Sequence, residues 1–299
     1  MTPEHAQVIH QAVQALPCDD GIADRGGVEG WKLASGYGRI RVEGAAKPQN
    51  SSGRVSDLEV NPVDGHLRIA AASGGVWEFR LAFIIPVPVS LTEKGINTTW
   101  TGAFGSHPYF KDTMLVGTGE SWVHGGTGLW RTTDGGETWA NLAMAGEHPT
   151  AFHKIVFTGI YGIVYAATDW GIYRSNNDGR TWTKLRGGNC TGLAIHPTNP
   201  NIAYTGVSGE GIFKTTNGGA SWTRLSVGLP STNIGDVRLT LCRNSPNYLY
   251  SVITKADSHT TLGIYRTSNN GSSWNTCAMR RADGSVRWLV SRARPEEVD

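Results

Sequence analysis

Six carboxylates stand in predicted loops rich in glycine or aromatic residues, and their side chains are the best candidates for chemistry. Two carboxyl groups about 5 to 9.5 Å apart can cleave a glycosidic bond, one as acid and one as nucleophile or base. Six candidates spread along the chain would place some pair at that distance by chance. We therefore treat Glu120, Asp169 and Glu210 as weak catalytic candidates. The full set is Asp112, Glu120, Asp169, Glu210, Asp236 and Asp257.

Other catalytic and metal-binding patterns are missing from the sequence. Gly206-Val-Ser-Gly209 departs from the nucleophile motif G-x-S-x-G at Glu210, and no phosphate-binding G-x-x-x-x-G-K-[ST] occurs. His148 and His153 lie close in sequence without a third clear ligand, so we expect no metal and no cofactor. The cysteines are scattered and form no C-x-x-C, which favours free thiols over disulfides. They are Cys18, Cys190, Cys242 and Cys277.

The charge pattern limits the classes of partner. The net charge is +2, and no run of lysine or arginine forms a basic stripe, which argues against nucleic acid or a membrane surface as partner. No apolar run approaches the roughly 20 residues of a membrane span, and no secretory leader is visible. The compartment is left open. The 39 glycines and 11 tryptophans indicate many turns and aromatic anchors, as in an all-β repeat protein.

Four copies of one motif determine the fold prediction. They are residues 128–139, 171–182, 211–222 and 263–274. Each copy has a short alternating strand, then Asp or Asn, a spacer and Gly, then a hydroxyl residue and Trp. The Asp or Asn side chain can bond nearby backbone N–H groups, and Gly accepts a positive φ, so each copy predicts a hairpin turn.

We assign purely structural roles to the Asp or Asn, the Gly and the Trp of each copy. The tryptophans, with Trp100, are spaced by 39, 43, 40 and 52 residues. Four strands repeating at about this interval predict a blade of a β-propeller. The structural residues are Asp134, Gly136, Trp139, Asn177, Gly179, Trp182, Asn217, Gly219, Trp222, Asn269, Gly271 and Trp274.

The motif Ser/Thr-x-Asp/Asn-x-Gly-x-Thr/Ser-Trp resembles the Asp-box, or BNR, repeat of sialidases, sortilin-like (VPS10-type) receptors and bacterial glycosyl hydrolase-like propellers. The resemblance covers about residues 53–277, and its relatives are often secreted. It implies an all-β propeller of four-stranded antiparallel blades, with the Asp-box between the third and fourth strands. Five blades are visible. Two interpretations of the blade number are open: these blades are part of a seven-bladed ring, or the ring has five or six blades.

The domain prediction has three parts. Residues 1–30 are expected to form a short helix and a linker, residues 31–291 the propeller, and residues 292–299 a charged tail. Within the propeller, Trp31–Leu33 and Arg39–Val42 read as isolated strands. The first blade lacks the motif; we expect its Pro-broken run at 81–90 to be an arm and its fourth strand to begin near Trp100. The predicted blades are 53–100, 101–142, 151–185, 190–225 and 236–277.

A propeller carries its ligands on the face that holds the connections from the second to the third strand and from one blade to the next. We place the loops 101–113 and 117–128 on this face. The first of these loops contributes four aromatic or imidazole side chains, those of Phe104, His107, Tyr109 and Phe110. With these aromatic residues and the polar residues around the ring, this face could stack sugars or aromatic side chains. The predicted ligand-binding residues are Glu120, Trp122, His124, Asp169, Trp170, Glu210 and Asp257.

The sequence lacks residues that two specific enzyme classes require. A sialidase grips a carboxylate with three arginines, but the predicted ligand loops hold Arg186, with Arg238 at a border. Xyloglucan-cleaving hydrolases of the resembled group carry an Asp where this chain has Ala72-Ser73. The predicted function is a non-catalytic scaffold or binding module for a glycan or a peptide. The alternative is a glycoside hydrolase of the Asp-box type with another carboxylate pair.

Overall fold

The computed structural model describes residues 55–82, 85–96, 98, 100–120, 125–277, 279–280 and 286–287. The helix predicted within residues 1–30 lies outside this part of the chain. The described residues form 22 strands and no helix, so none of them forms a helix able to cross a membrane. The strands build five four-stranded antiparallel sheets and one two-stranded hairpin. This all-β arrangement of successive four-stranded sheets is the predicted propeller.

In every sheet, each strand pairs with the next one along the chain, so each blade is a simple meander. We call the four strands of a blade A to D. The first strand lines the centre of the ring and the fourth is the outer edge. The blades are β1 Val55–Val60, β2 Leu67–Ala71, β3 Gly75–Ala82 and β4 Ile85–Ser90; β5 Thr101–Ser106, β6 Met114–Thr118, β7 Leu129–Thr132 and β8 Ala140–Leu142; β9 Phe152–Phe157, β10 Val164–Thr168, β11 Gly171–Ser175 and β12 Thr183–Gly187; β13 Cys190–Ile195, β14 Ala203–Val207, β15 Gly211–Thr215 and β16 Thr223–Leu225; β17 Ile234–Leu241, β18 Leu249–Lys255, β19 Thr261–Thr267 and β20 Asn275–Thr276; the hairpin is β21 Met279–Arg280 and β22 Val286–Arg287.

The first blade differs from its prediction. Its D strand is β4, within the run expected to be an arm, and it does not begin near Trp100. In β4, Pro86 pairs with Leu81 and Pro88 with Phe79. Proline cannot donate a ladder hydrogen bond, but an outer strand leaves one side of its backbone unpaired. The two prolines therefore suit the edge strand of this blade.

A buried hydroxyl organises each of the four repeat turns. In the last copy the Oγ1 of Thr267 accepts the N–H of Gly271 at 3.1 Å and donates to the Oδ1 of Asn269 at 2.8 Å. The same Oδ1 accepts the N–H of Ser273 at 3.0 Å. Equivalent bonds recur in every copy. The hydroxyl residues of the other copies are Thr132, Ser175 and Thr215.

Two consecutive residues in each repeat turn have positive φ. The second is always the motif glycine, and the first is Gly135, Asp178, Gly218 or Asn270. Glycine, asparagine and aspartate are the residues that most readily adopt this backbone conformation. The spacer of the motif is therefore constrained as strongly as the residues around it.

The repeat turns also hold the blades together. A side chain on Gly271 would collide with Leu225 of the preceding blade, and Gly219 lies in the same way against Leu185. Trp182 and Trp274 are buried in hydrophobic clusters that join consecutive blades. Four such clusters connect the first blade to the second and so on to the fifth.

Three cysteines fall within the described residues, and all are free thiols. Burial raises the pKa of the Cys190 thiol to about 11, which makes it a poor nucleophile. Cys242 is exposed and Cys277 is half-buried. Cys18 lies in the part of the chain that is not described.

We expect Thr267→Val to destabilise the protein by about 2–4 kcal/mol, because the N–H groups of Gly271 and Asn269 lose their buried acceptor. Valine keeps the shape of threonine, so packing is preserved. The control is Thr223→Val on an exposed position of β16, which should change stability by less than about 0.5 kcal/mol. Urea unfolding curves measure both. Equal curves for the two variants would contradict the assigned role of the hydroxyl.

Candidate functional site

The two faces of the ring carry different connections between strands. The turn face carries the A–B turns together with the repeat turns. The loop face carries the B–C turns and the connections between blades. At the loop-face end, the A strand of every blade contains a β-bulge. A bulge inserts one extra residue and redirects its side chain, and such irregularities are common beside functional sites.

Three of the extra residues reach the next blade with their side chains. The Oγ of Ser56 donates to the carbonyl of Thr101 at 2.8 Å. The Oγ1 of Thr191 bonds both the N–H and the carbonyl of Val237. His153 lies at the equivalent position in the third blade, but its ring contacts a side chain instead of the backbone: its Nε2 is 3.0 Å from the Oδ1 of Asn189.

His153 is the centre of a polar group that we call the mouth cluster, formed by His153, Asp169, Asn189, Asp236 and Arg238. The charges of Arg238, Asp236 and Asp169 all act on the imidazole. One carboxylate oxygen of Asp169 accepts a hydrogen bond from the Oγ1 of Thr150 at 2.6 Å. The other oxygen of Asp169 and one of Asp236 are buried without a hydrogen-bond partner. These two oxygens are acceptors that a ligand could satisfy.

Desolvation and the positive charge of Arg238 lower the pKa of His153 to about 4, against the opposing effects of Asn189 and the two aspartates. The imidazole is therefore neutral near pH 7. With Asn189 Oδ1 as acceptor, Nε2 is the nitrogen that carries the proton. His153 is thus a fixed neutral polar group and is poorly suited to be a proton donor.

Trp170 lies next to Asp169 in the turn between β10 and β11 and is exposed. The Oγ1 of Thr168 accepts the N–H groups of Trp170 and Gly171, both at 3.1 Å, and donates to the Gly171 carbonyl. The backbone of this turn is fixed by hydrogen bonds within it. The turn therefore presents an indole ring beside a carboxylate on a rigid support.

The other predicted ligand-binding residues have separate partners. Arg186 binds Glu210 at 2.5 Å and stacks on Phe213, so Glu210 belongs to an ion pair between blades. Hydrogen bonds, first from Ser258 and then from Asn233, lower the pKa of Asp257. Glu120 is half-buried in an isolated bridge. Trp122 and His124 lie outside the described residues. Of the predicted set, Asp169 and Trp170, which are neighbours in sequence, lie in the same turn between β10 and β11.

The aromatic residues predicted within 101–113 do not lie on the loop face. Phe104 is buried in β5, and residues 107–113 form an A–B turn. The Nδ1 of His107 accepts the N–H groups of Tyr109 and Phe110, and its Nε2 lies 3.1 Å from Asp178 of a repeat turn. This contact places the turn beside the repeat turns. The prediction that these aromatic residues lie on the ligand face is wrong.

The A strands of all five blades line a central cavity of about 380 Å³. Within it, Lys154 of the third blade bonds Asp57 of the first at 2.6 Å. Burial raises the pKa of Glu59, although its carboxylate accepts the N–H of Ser106 at 2.9 Å. Glu59 lies near the turn-face end of β1. The carboxyl group with a raised pKa is therefore far along the cavity from the mouth cluster.

One group of possible metal ligands occurs among the described residues, formed by Asp64, His66 and Glu78. Burial raises the pKa of Glu78, but the hydrogen bonds and charges of Arg80 and Arg68 outweigh it and the net shift is downward. The guanidinium groups already occupy both carboxylate oxygens, at 2.6 and 2.7 Å. A metal ion would have to displace them, so this group is better described as an ion-pair network.

Because His153 titrates near pH 4 in the folded chain and near 6.5 when unfolded, the unfolded state binds more protons between these values. The stability of the wild type should therefore fall as the pH drops from about 6.5 to about 4. We expect His153→Gln to reduce this loss by about 1–3 kcal/mol. Urea midpoints from pH 4 to pH 7.5 measure it. Parallel pH profiles for the wild type and the variant would contradict the assignment.

Comparisons with known proteins agree with this architecture. The family model described as sortilin, neurotensin receptor 3 (Sortilin-Vps10) matches residues 171–298. No curated protein sequence matches the chain. Among solved structures, a GH74 enzyme from Niastella koreensis superposes with a TM-score of 0.59 at 18% identity, covering 75% of this chain and 37% of the enzyme.

Two further structures are similar. An ancestral GH74 enzyme gives a TM-score of 0.55 at 19% identity, over 75% of this chain and 31% of that one. The extracellular domain of BT4673 from B. thetaiotaomicron gives 0.55 at 12% identity, over 79% and 29%. The chain thus spans about a third of the length of these proteins, and at such identities the likeness concerns the fold alone. The chain is a β-propeller that is similar to sortilin and to BNR-type propellers, which confirms the predicted resemblance.

Proposed function

We propose that the protein is a non-catalytic binding module whose loop face binds a glycan. The observation that carries this proposal is the turn that presents Asp169 and Trp170 side by side. The exposed indole offers an apolar ring on which a sugar can stack, and the carboxylate offers an oxygen without a partner. Binding sites commonly combine an aromatic surface with a few fixed polar groups.

The surroundings of this turn support a polyhydroxylated ligand. Asp236 of the fifth blade contributes a second carboxylate oxygen without a partner, and His153, on which the charges of both aspartates act, is neutral. Hydroxyl groups of a sugar can donate to both carboxylates and gain charge-assisted hydrogen bonds. Because Thr168 and Asn189 already hold the turn and the imidazole, little conformational freedom is lost on binding.

The chemistry of the acids supports binding more than hydrolysis. A glycosidase needs one carboxyl group with a raised pKa as proton donor close to a second, ionised carboxylate. Glu59 has the raised pKa but lies toward the turn face. Asp257 has a lowered pKa, and Arg186 neutralises Glu210.

Two alternatives have their own support. A glycoside hydrolase would have to use Asp169 and Asp236, because each keeps one oxygen free of hydrogen bonds beside His153. A peptide ligand is supported by the match to the family described as sortilin, neurotensin receptor 3. Both alternatives place the ligand at the same loop face, so one set of experiments separates the three.

We expect the protein to bind a subset of sugars on a glycan array, and Trp170→Ala to weaken that binding at least tenfold because the stacking surface is lost. Asp169→Asn should have a similar effect through loss of the charged acceptor. Isothermal titration calorimetry with the best array sugar measures both. The matched control is Tyr161→Ala, which removes an exposed aromatic ring from the turn face. Its affinity should equal that of the wild type.

The same sugars, incubated with the protein and assayed for new reducing ends, test hydrolysis directly. Cleavage by the wild type that is lost in both Asp169→Asn and Asp236→Asn would show that the protein is a glycoside hydrolase and not a non-catalytic binding module. Binding to a peptide library but to no glycan would show that the ligand is a peptide and not a glycan. Equal loss of affinity in Trp170→Ala and Tyr161→Ala would contradict the assignment of the binding site to the loop face.

A further inference from the structure

The carboxylates of the loop face differ in how the protein compensates their charge. Glu210 forms an ion pair with Arg186, and Asp257 accepts a hydrogen bond from a neighbouring amide group at 3.0 Å. Within the described ranges, no ion pair includes Asp169 or Asp236. Each of the two also keeps one buried carboxylate oxygen without a hydrogen-bond partner. Because an uncompensated charge costs free energy when it is buried, these are the acids whose charge a ligand would compensate.

Both aspartates are held in place by the protein alone. The N–H of Asp169 donates to the carbonyl of Ala151 at 3.1 Å. The N–H of Asp236 donates to the Oγ1 of Thr254 at 2.8 Å. The hydroxyl of Thr150 occupies one lone pair of the second Asp169 oxygen, which can still accept another donor. A ligand therefore meets carboxylates that lose little freedom on binding.

The charges of the mouth cluster do not balance. Those of Asp169, Asp236 and Arg238 act on the imidazole of His153. Arg238 is exposed, and in the described part of the chain it too belongs to no ion pair. The imidazole is neutral near pH 7 and adds no positive charge. Two carboxylates against one guanidinium leave negative charge in excess, which favours a ligand that carries a positive charge.

The indole of Trp170 suits a ligand of the same kind. It is 42% exposed and follows Asp169 in the chain. Among aromatic rings, the face of an indole attracts a cation most strongly. An ammonium group also forms charge-assisted hydrogen bonds with a carboxylate. A sugar ring that carries an ammonium group can therefore stack on the indole and place its charge near the carboxylate, whereas a sugar with hydroxyl groups alone brings no charge.

We propose that the glycan of the loop face carries free amino groups, as an oligomer of glucosamine does, and that the turn of Asp169 and Trp170 binds an ammonium group. This inference rests on the proposed function, because it names the class of sugar for the same site. An N-acetylated sugar has a similar ring but no positive charge, so it leaves the excess negative charge in place. A sugar acid would add to that excess. The amino group is therefore the feature that the site selects.

Calorimetric titration of the full chain with two matched sugars tests this inference. The probes are hexamers of glucosamine and of N-acetylglucosamine with the same linkage, at about pH 6, where an amine carries a proton. The wild type should bind the glucosamine hexamer about tenfold more tightly or better. Asp169→Asn and Asp236→Asn should each reduce this ratio to about threefold or less, whereas Arg238→Gln should raise it about twofold, because an opposing charge is removed. The control Asp112→Asn removes an exposed carboxylate from the turn face and should leave the ratio unchanged.

A wild-type ratio near one, with other sugars still bound at a site that Trp170→Ala removes, would overturn this inference and leave the binding module in place. No binding to any sugar would overturn both. Equal reductions of the ratio in Asp112→Asn and Asp169→Asn would show that the charge of the whole protein attracts the amine, which also overturns it. A hexalysine peptide carries the positive charge without sugar rings, and binding as tight as that of the glucosamine hexamer would overturn the assignment to an amino sugar.

Discussion

The structure depends on one local interaction, the hydrogen bond from the motif glycine to a buried hydroxyl four residues earlier. That bond fixes two consecutive residues at positive φ and brings a glycine without a side chain to the flank of the preceding blade. Leu185 and Leu225 fill the space that a Cβ would take. The turn is thus both the local signal for a hairpin and the contact that sets one blade against the next.

Once the blades are set in this way, the loop face gains its polar centre from the bulges in the A strands. A regular strand would alternate its side chains between the two neighbouring blades, and a bulge adds one residue outside that alternation. In the third blade the added residue is His153, which bonds Asn189. The candidate site therefore depends on the irregularity of the inner strands, and the repeat turns lie on the opposite face.

The repeat turns could be predicted from sequence because their side-chain hydrogen bonds span four residues or fewer. The recurrence of these turns along the chain then predicted four of the five blades. The mouth cluster could not be predicted, because Asp236 is one of six loop acids in the sequence, and the structure is needed to show that its charge acts on His153. Residues 101–106 are predicted as part of the loop 101–113, but they form β5. At Gly102 the backbone of Phe152 in the third blade approaches too closely for a side chain. In the first blade, the prolines predicted that the strand would be interrupted, but an edge strand tolerates proline.

Hydrogen–deuterium exchange of the full chain with a bound sugar tests most directly whether the loop face binds the ligand and the turn face has a structural role. The predicted result is slower exchange at residues 147–153, 168–171 and 234–238, with unchanged exchange in the repeat turns at 132–139, 175–182 and 215–222. Protection concentrated in the repeat turns, with no change around the mouth cluster, would contradict it.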